Sequence, residues 1–197
     1  MTYEYTRDWF SWAPPIWTQI FSQLGSRRRF LEIGSFEGRS TVWLVENALE
    51  DGGEIHCVDT WQGGEEHTPE EVGGSKRRFD RNIAILRRKH PRRRVIPCQG
   101  SSLALLGRMA AAKKHREEFD MIYIDGSHIA KDVLTDACLA WPLLRRGGVI
   151  VFDDYAWSAP LPATHKPKMA VNAFIRVFRE ELKVVHRDYQ VVIQRNG

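Results

Sequence analysis

Asp125, Asp153 and Asp154 are the residues of this chain best suited to do chemistry. Asp125 follows the strand-like run Phe119–Ile124, and Asp153 and Asp154 follow Val149–Phe152. If those runs are neighbouring parallel strands, three carboxylates meet at one edge of a sheet. Like charges that close cannot all ionise unpaired. A divalent cation resolves the repulsion, and a set of oxygen donors without cysteine favours Mg²⁺, Mn²⁺ or Ca²⁺, with Mg²⁺ the expected ion. His128 stands three residues after Asp125. Its imidazole, with an ordinary pKa of about 6.5, can take a proton near neutral pH. Helix caps and one solvated acid would use the same residues without chemistry.

A second constellation lies earlier in the chain, in Leu31-Glu32-Ile33-Gly34-Ser35-Phe36-Glu37-Gly38-Arg39-Ser40-Thr41. Gly34 and Gly38 flank a tight turn into a helix whose free N–H groups can take an anion. A dinucleotide fingerprint GxGxxG fails in both registers, because Glu32 or Phe36 stands where a glycine is needed. Asp59 follows Gly38 by 21 residues, a spacing that suits an acid accepting from two ribose hydroxyls. Beside it Thr60 lines the same strand end, and Trp61 either stacks on a base or closes the loop. Ser101 and Ser102, after Gln99-Gly100, either touch a bound base or cap the next helix.

The elements that position these residues alternate. Strands are expected at Arg29–Ile33, Glu54–Val58, Val95–Cys98, Phe119–Ile124 and Val149–Phe152. Helices are expected at Arg39–Leu49, Ser75–His90, Leu103–His115, Ile129–Leu144 and Pro167–Leu182. Lys183–His186 and Tyr189–Arg195 read as an antiparallel hairpin. The pattern predicts an α/β fold, a Rossmann-like doubly wound sheet that is mostly parallel with helices on both faces. In such sheets ligands bind beyond the carboxyl ends of the strands, where both constellations fall. Residues 1–28 form a separate Trp-rich segment, with Pro14 and Pro15 opening a helix and Ile16, Ile20, Phe21 and Leu24 at helical spacing. It is expected to cap a pocket of the domain that occupies 29–197.

Glu32-x-Gly34-x-x-x-Gly38-x-Ser40, with Ile124-Asp125-Gly126-Ser127-His128 and Gly147 to Tyr155, resembles the metal-dependent O-methyltransferase branch of the class I S-adenosylmethionine-dependent methyltransferases. The combination is similar to the macrocin and novobiocin sugar O-methyltransferases and cephalosporin-biosynthesis proteins, and more widely to the catechol enzymes. The resemblance implies S-adenosylmethionine held by Glu32, Gly34, Ser35, Gly38, Ser40, Asp59, Thr60, Trp61, Ser101 and Ser102. It implies a divalent cation on Asp125, Asp153 and Asp154, and a small-molecule hydroxyl acceptor such as a vicinal diol, catechol or sugar. Catechol-type relatives carry a lysine at the position of His128, and some antibiotic-sugar relatives an aspartate at that of Ser127. The cation ligands therefore carry over better than the base, for which His128, beside Asp125, is the candidate.

Composition sets the frame. At 197 residues, 43% hydrophobic and 27% charged, the chain can bury one sizeable core. No apolar run approaches the ~18 residues of a membrane span, and no signal-peptide core follows Met1, so the expected address is the cytoplasm. Cys57, Cys98 and Cys138 are read as buried reduced thiols. The net charge of +4 is uneven, since Lys76–Arg94 holds ten basic residues and one acid. Phe79, Ile83 and Leu86 give that helix a core stripe, so its charges are read as a solvated face. A nucleic-acid-binding or RNA-modifying enzyme and a non-catalytic cofactor-binding protein are the alternatives. A homo-oligomer is left open.

Overall fold

A computed structural model describes residues 2–64, 68–112 and 115–197. The elements run α1 (Pro14–Ser22), β1 (Arg29–Ile33), α2 (Arg39–Asn47), β2 (Glu54–Asp59), α3 (Pro69–Val72), α4 (Ser75–Lys89), β3 (Arg94–Gln99), α5 (Ser102–Ala111), β4 (Phe119–Ile124), α6 (Ala130–Ala140), β5 (Leu144–Phe152), α7 (Pro167–Val177), β6 (Leu182–Arg187) and β7 (Val191–Arg195). One seven-stranded sheet has the order β3-β2-β1-β4-β5-β7-β6. β1 pairs in parallel with both β2 and β4, and β7 runs antiparallel to β5 and β6. This is the Rossmann-like doubly wound sheet with a C-terminal antiparallel hairpin that the pattern predicts.

Strand alternation sends successive side chains to opposite faces. Phe30, Met121, Tyr123 and Val151 face α1, α2 and α4, whereas Leu31, Ile122, Ile124 and Phe152 face α5, α6 and α7. Helix α1 belongs to the first of these layers. Trp17 is fully buried, edge-on to Tyr123 with ring centroids 4.8 Å apart, and Phe21 stacks on Phe30. Among the described residues no helix is long and apolar enough to cross a membrane.

Several boundaries differ from the periodicity. α6 stops at Ala140, a 3-10 turn takes Trp141–Leu143, and β5 begins at Leu144. Pro142 has no N–H to continue the helix, and its ring clashes with the preceding turn. α7 ends at Val177, well short of Leu182, which pairs with Arg195 as the first residue of β6. α2 ends at Asn47, and α5 at Ala111 rather than His115; Lys113 and Lys114 lie outside the described residues. β1 and β4 are adjacent, yet their crossovers leave in opposite directions. The crevice beyond their carboxyl ends is the switch point at which such sheets bind ligands.

Candidate active site

A cavity of about 800 Å³ opens at that switch point. One end is lined by Gly34, Ser35, Asp59, Thr60, Trp61, Ser101 and Ser102, the other by Asp125, His128, Asp153 and Asp154. Both constellations therefore share one cavity, although more than a hundred residues separate their extremes.

The turn after β1 is held from below and from the side. Gly34 has φ +86° and Gly38 φ +79°, a region that costs other residues. A Cβ on Gly34 would collide with the backbone carbonyl of Asp125, so this glycine lets the two strand ends close on each other. Glu32 is fully buried beneath the turn and does not line the cavity. It accepts hydrogen bonds from Ser35 Oγ at 2.6 Å, Ser40 Oγ at 2.7 Å and Thr41 Oγ1. Burial raises its pKa, against those three donors. Asp59 joins the turn to β2. Its Oδ2 accepts from the N–H groups of Ser35 and Phe36, both at 2.8 Å, and its Oδ1 from Trp61 N–H at 2.6 Å. Four lone-pair sites with three used leave this carboxylate acceptor capacity. Trp61 closes the loop: its indole N–H donates to Phe36 O at 2.8 Å, and its ring packs against Phe79 with Lys76 above it. Ser101 caps α5, accepting from Ala104 N–H, while Ser102 reaches the carboxyl of Asp136 on α6. Burial pushes Asp136 up to about 6 against that bond.

At the opposite end, one donor atom each from Asp125, His128 and Asp154 lie within 4.8 Å of one another. His128 Nε2 is 2.8 Å from Asp154 Oδ2, and the imidazole packs on Trp157 at 4.5 Å. Tyr189 donates to Asp154 Oδ1 at 2.7 Å. Asp153 stands behind this trio. Its Oδ1 accepts from Asp154 N–H at 2.7 Å, and its Oδ2 from Gln190 Nε2 at 3.0 Å and from Tyr123. The Tyr123 hydroxyl also lies 2.9 Å from Asp125 Oδ2. One hydroxyl hydrogen cannot serve two ionised carboxylates, so a further proton belongs to this pair. Burial, then the charges of Asp153 and Asp154, hold Asp125 well above the carboxylate range. Burial and the Asp154 charge push Asp153 up to about 6. Carboxylate oxygens and an imidazole nitrogen that converge within 4.8 Å fit a site for a hard divalent ion.

The N-terminal segment forms a third wall. Its backbone is strapped over the first turn by two buried polar residues. Glu37 accepts from Thr6 N–H and Oγ1, at 2.6 and 2.7 Å, and from Arg78. Asn82 exchanges two hydrogen bonds of 2.8 Å with the backbone of Glu4. The strap carries Trp9 and Trp12 to the cavity, where 49% and 39% of their surface stays exposed. Trp12 packs edge-on against Tyr189, and Trp9 against Phe36.

Sequence reasoning missed Tyr123, Gln190, Tyr189, Glu37 and Asp136. Tyr123 alone carried a signal, a phenol two residues before Asp125 on the same strand face. The others become visible only when distant segments meet. The basic helix also changes meaning. Phe79, Ile83 and Leu86 are buried as the spacing requires. Lys76, Arg81, Lys89, Arg92, Arg93 and Arg94 each pair with an acid of this chain.

Residues 31–155 match the family model described as "Methyltransferase domain". The O-methyltransferase hkm8 of Aspergillus hancockii is 28% identical over 138 residues, 70% of this chain and 47% of that protein, so the chain spans about half the length of this relative. An O-methyltransferase from Bacillus cereus, solved in complex with SAH, superposes with a TM-score of 0.66 at 18% identity, covering 97% of this chain and 84% of the other. MycE, a methyltransferase of the mycinamycin pathway solved with Mg, SAH and mycinamycin VI, gives 0.62 at 18% identity over 96% of this chain and 51% of its own.

Proposed function

The chain belongs to the methyltransferase domain family, and from that premise we propose that it moves the methyl group of S-adenosylmethionine to a hydroxyl of a small molecule. One observation carries this reading. A single cavity has a glycine turn and a ribose-suited acid at one end, and a carboxylate cluster with an imidazole at the other. The oxygen donors and the adjacent His128 fit a divalent cation, with Mg²⁺ expected from the donor chemistry. When bound, such an ion lowers the pKa of a hydroxyl that touches it.

The chain's own groups do the rest. The Gly34–Gly38 turn, with Ser35, Ser40 and Thr60, shapes the wall against the amino-acid and ribose parts of the donor, its Gly34, Ser35, Phe36 and Gly38 N–H groups being spent within the chain. Asp59 offers its remaining acceptor site to a ribose hydroxyl, while Glu32 holds the turn from beneath. Ser101 and Ser102 border the base. Asp125 and Asp154 orient the acceptor hydroxyl, and its proton passes to the imidazole of His128, whose Nε2–H donates to the Asp154 carboxylate so that the imidazolium is stabilised. The hydroxyl oxygen attacks the methyl carbon, the carbon–sulfur bond breaks, and its electron pair stays on sulfur. Alignment of this kind is worth up to about 7–11 kcal/mol. Trp9, Trp12 and Trp157 suit an acceptor whose hydroxyls sit on a flat ring or sugar face.

A screen of diol-containing metabolites with labelled donor, with and without chelator, tests the proposal. Methylated product that vanishes in chelator is the expected result. Turnover that persists in chelator removes the cation. Donor binding with no product from any acceptor class favours a non-catalytic cofactor-binding protein.

A further inference from the structure

We propose that Trp17 and Gln190 are positioning residues for Asp153, so that helix α1 is a working part of the acidic end of the cavity. The consequence for cation binding rests on the proposed function, whereas the positioning itself does not. Both residues lie outside the segment 31–155 that matches the family model.

Gln190 is fully buried at the turn into β7. A buried amide has two donors and an acceptor, and its two ends are nearly the same shape, so its orientation is decided by its partners. The Trp17 indole N–H can only donate, and it donates to Gln190 Oε1 at 2.7 Å. That leaves the NH₂ end to face Asp153 Oδ2, at 3.0 Å. If the amide turned over, an indole N–H would meet an amide N–H, and a carbonyl oxygen would meet a carboxylate. Both mismatches would be buried, where an unsatisfied or repelling polar group is costly.

Trp17 also controls the second donor to the same oxygen. Its ring packs edge-on against Tyr123 at 4.8 Å, and the Tyr123 hydroxyl donates to Asp153 Oδ2. Both side-chain donors on Asp153 Oδ2 are thus held by one buried indole on α1. The other oxygen, Oδ1, takes the N–H of Asp154, a residue at φ +54°. The carboxylate of Asp153 therefore sets the backbone pose that points Asp154 at His128. The chain Trp17–Gln190–Asp153–Asp154 runs from the outer helix layer to the cavity without a gap.

Two measurements test it. The first needs no cation: the Trp17 indole N–H resonance, assigned with Trp17→Phe, is followed in NMR spectra of the whole protein. It is expected to shift in Asp153→Asn and to lose its slow hydrogen exchange in Gln190→Leu. An unmoved resonance in Asp153→Asn overturns the positioning. The second is calorimetric binding of Mg²⁺ or Mn²⁺, alongside donor affinity and Tm. Gln190→Leu is expected to weaken cation binding about tenfold and leave donor affinity within about twofold. Trp17→Phe, which keeps the ring and frees the amide to turn, should give a smaller loss in the same direction. If Gln190→Leu does not fold, Gln190→Met and Trp17→Phe carry the test. Unchanged cation affinity with only a lowered Tm overturns the inference. If the wild-type protein binds no cation, the metal part of the proposed function falls, and the resonance still decides the positioning.

Discussion

Gly34, Asp59 and the acid cluster each make a separable claim. A side chain at Gly34 meets the Asp125 carbonyl, so Gly34→Ala is expected to cost several kcal/mol of stability and to push the two strand ends apart. Thermal unfolding together with donor calorimetry checks this; a variant with wild-type Tm that merely binds donor less well would mean the glycine serves ligand approach alone. Asp59 holds three backbone N–H groups of this chain. Asp59→Ala should therefore lower Tm as well as weaken donor binding, by about 1–3 kcal/mol each. Among the acids, sequence spacing names Asp125, Asp153 and Asp154 as ligands, whereas the donors that converge belong to Asp125, His128 and Asp154. Cation calorimetry on Asp153→Asn and His128→Ala separates these sets. Direct ligation by Asp153 predicts a larger loss in the first variant, and ligation by His128 a larger loss in the second. A base role for His128 instead predicts unchanged cation affinity and kcat lower by ~10²–10⁴.

At the scale of elements, the N-terminal strap and the basic helix are coupled through α4. Asn82 and Arg78 of α4 bind Glu4, Gly73 and Glu37, so this helix anchors the strap with its buried side and pairs with acids on the other. Asn82→Ala removes hydrogen bonds at the Glu4 backbone and the Glu37 carbonyl. It is expected to cost about 1–3 kcal/mol and to expose residues 3–12 to limited proteolysis; an unchanged digestion pattern would show the strap held by its aromatic contacts alone. The basic residues that follow α4 are not equivalent. Arg93 donates to Val45 O at 2.5 Å as well as pairing with Asp51, whereas the Arg92 side chain is 76% exposed. Arg93→Ala should destabilise by about 1–3 kcal/mol and Arg92→Ala by about 0.5 or less, which denaturant titration can resolve.

For the whole molecule, burial makes Glu32, Asp125, Asp136 and Asp153 bind protons more tightly than the unfolded chain does. Groups with a raised folded pKa lend stability that is fully present below the unfolded carboxylate value of about 4. That stability is lost as pH climbs through the folded values, about 6 for Asp136 and Asp153. In chelator, Tm should therefore fall between pH 5 and pH 8, and Asp136→Asn should lessen the fall by raising Tm at the upper end. Added Mg²⁺ at pH 8 should recover part of the loss, since an ion bound by the folded state alone stabilises it. A Tm that stays flat in chelator across this range would show the buried carboxylates to be charge-compensated without protons.

The strands, helices and motif-bearing strand ends were legible in the sequence because their signals are local. Apolar residues repeat with period two or near four, glycine marks turns that need positive φ, and an acid directly after a buried strand must lie at a sheet edge. Family likeness was legible for the same reason, since Gly34–Gly38, Asp59, Asp125 and Asp153-Asp154 each sit within a few residues of such an end. Tertiary structure alone decided what each acid touches. It put Glu32 under its turn, turned Asp153 toward Tyr123 and Gln190, and brought His128 to Asp154. Trp17 and Gln190 are 173 residues apart, joined by the strand order and by the register of β7 on β5. Order and register follow from packing of the whole sheet, and such packing leaves no period in the chain.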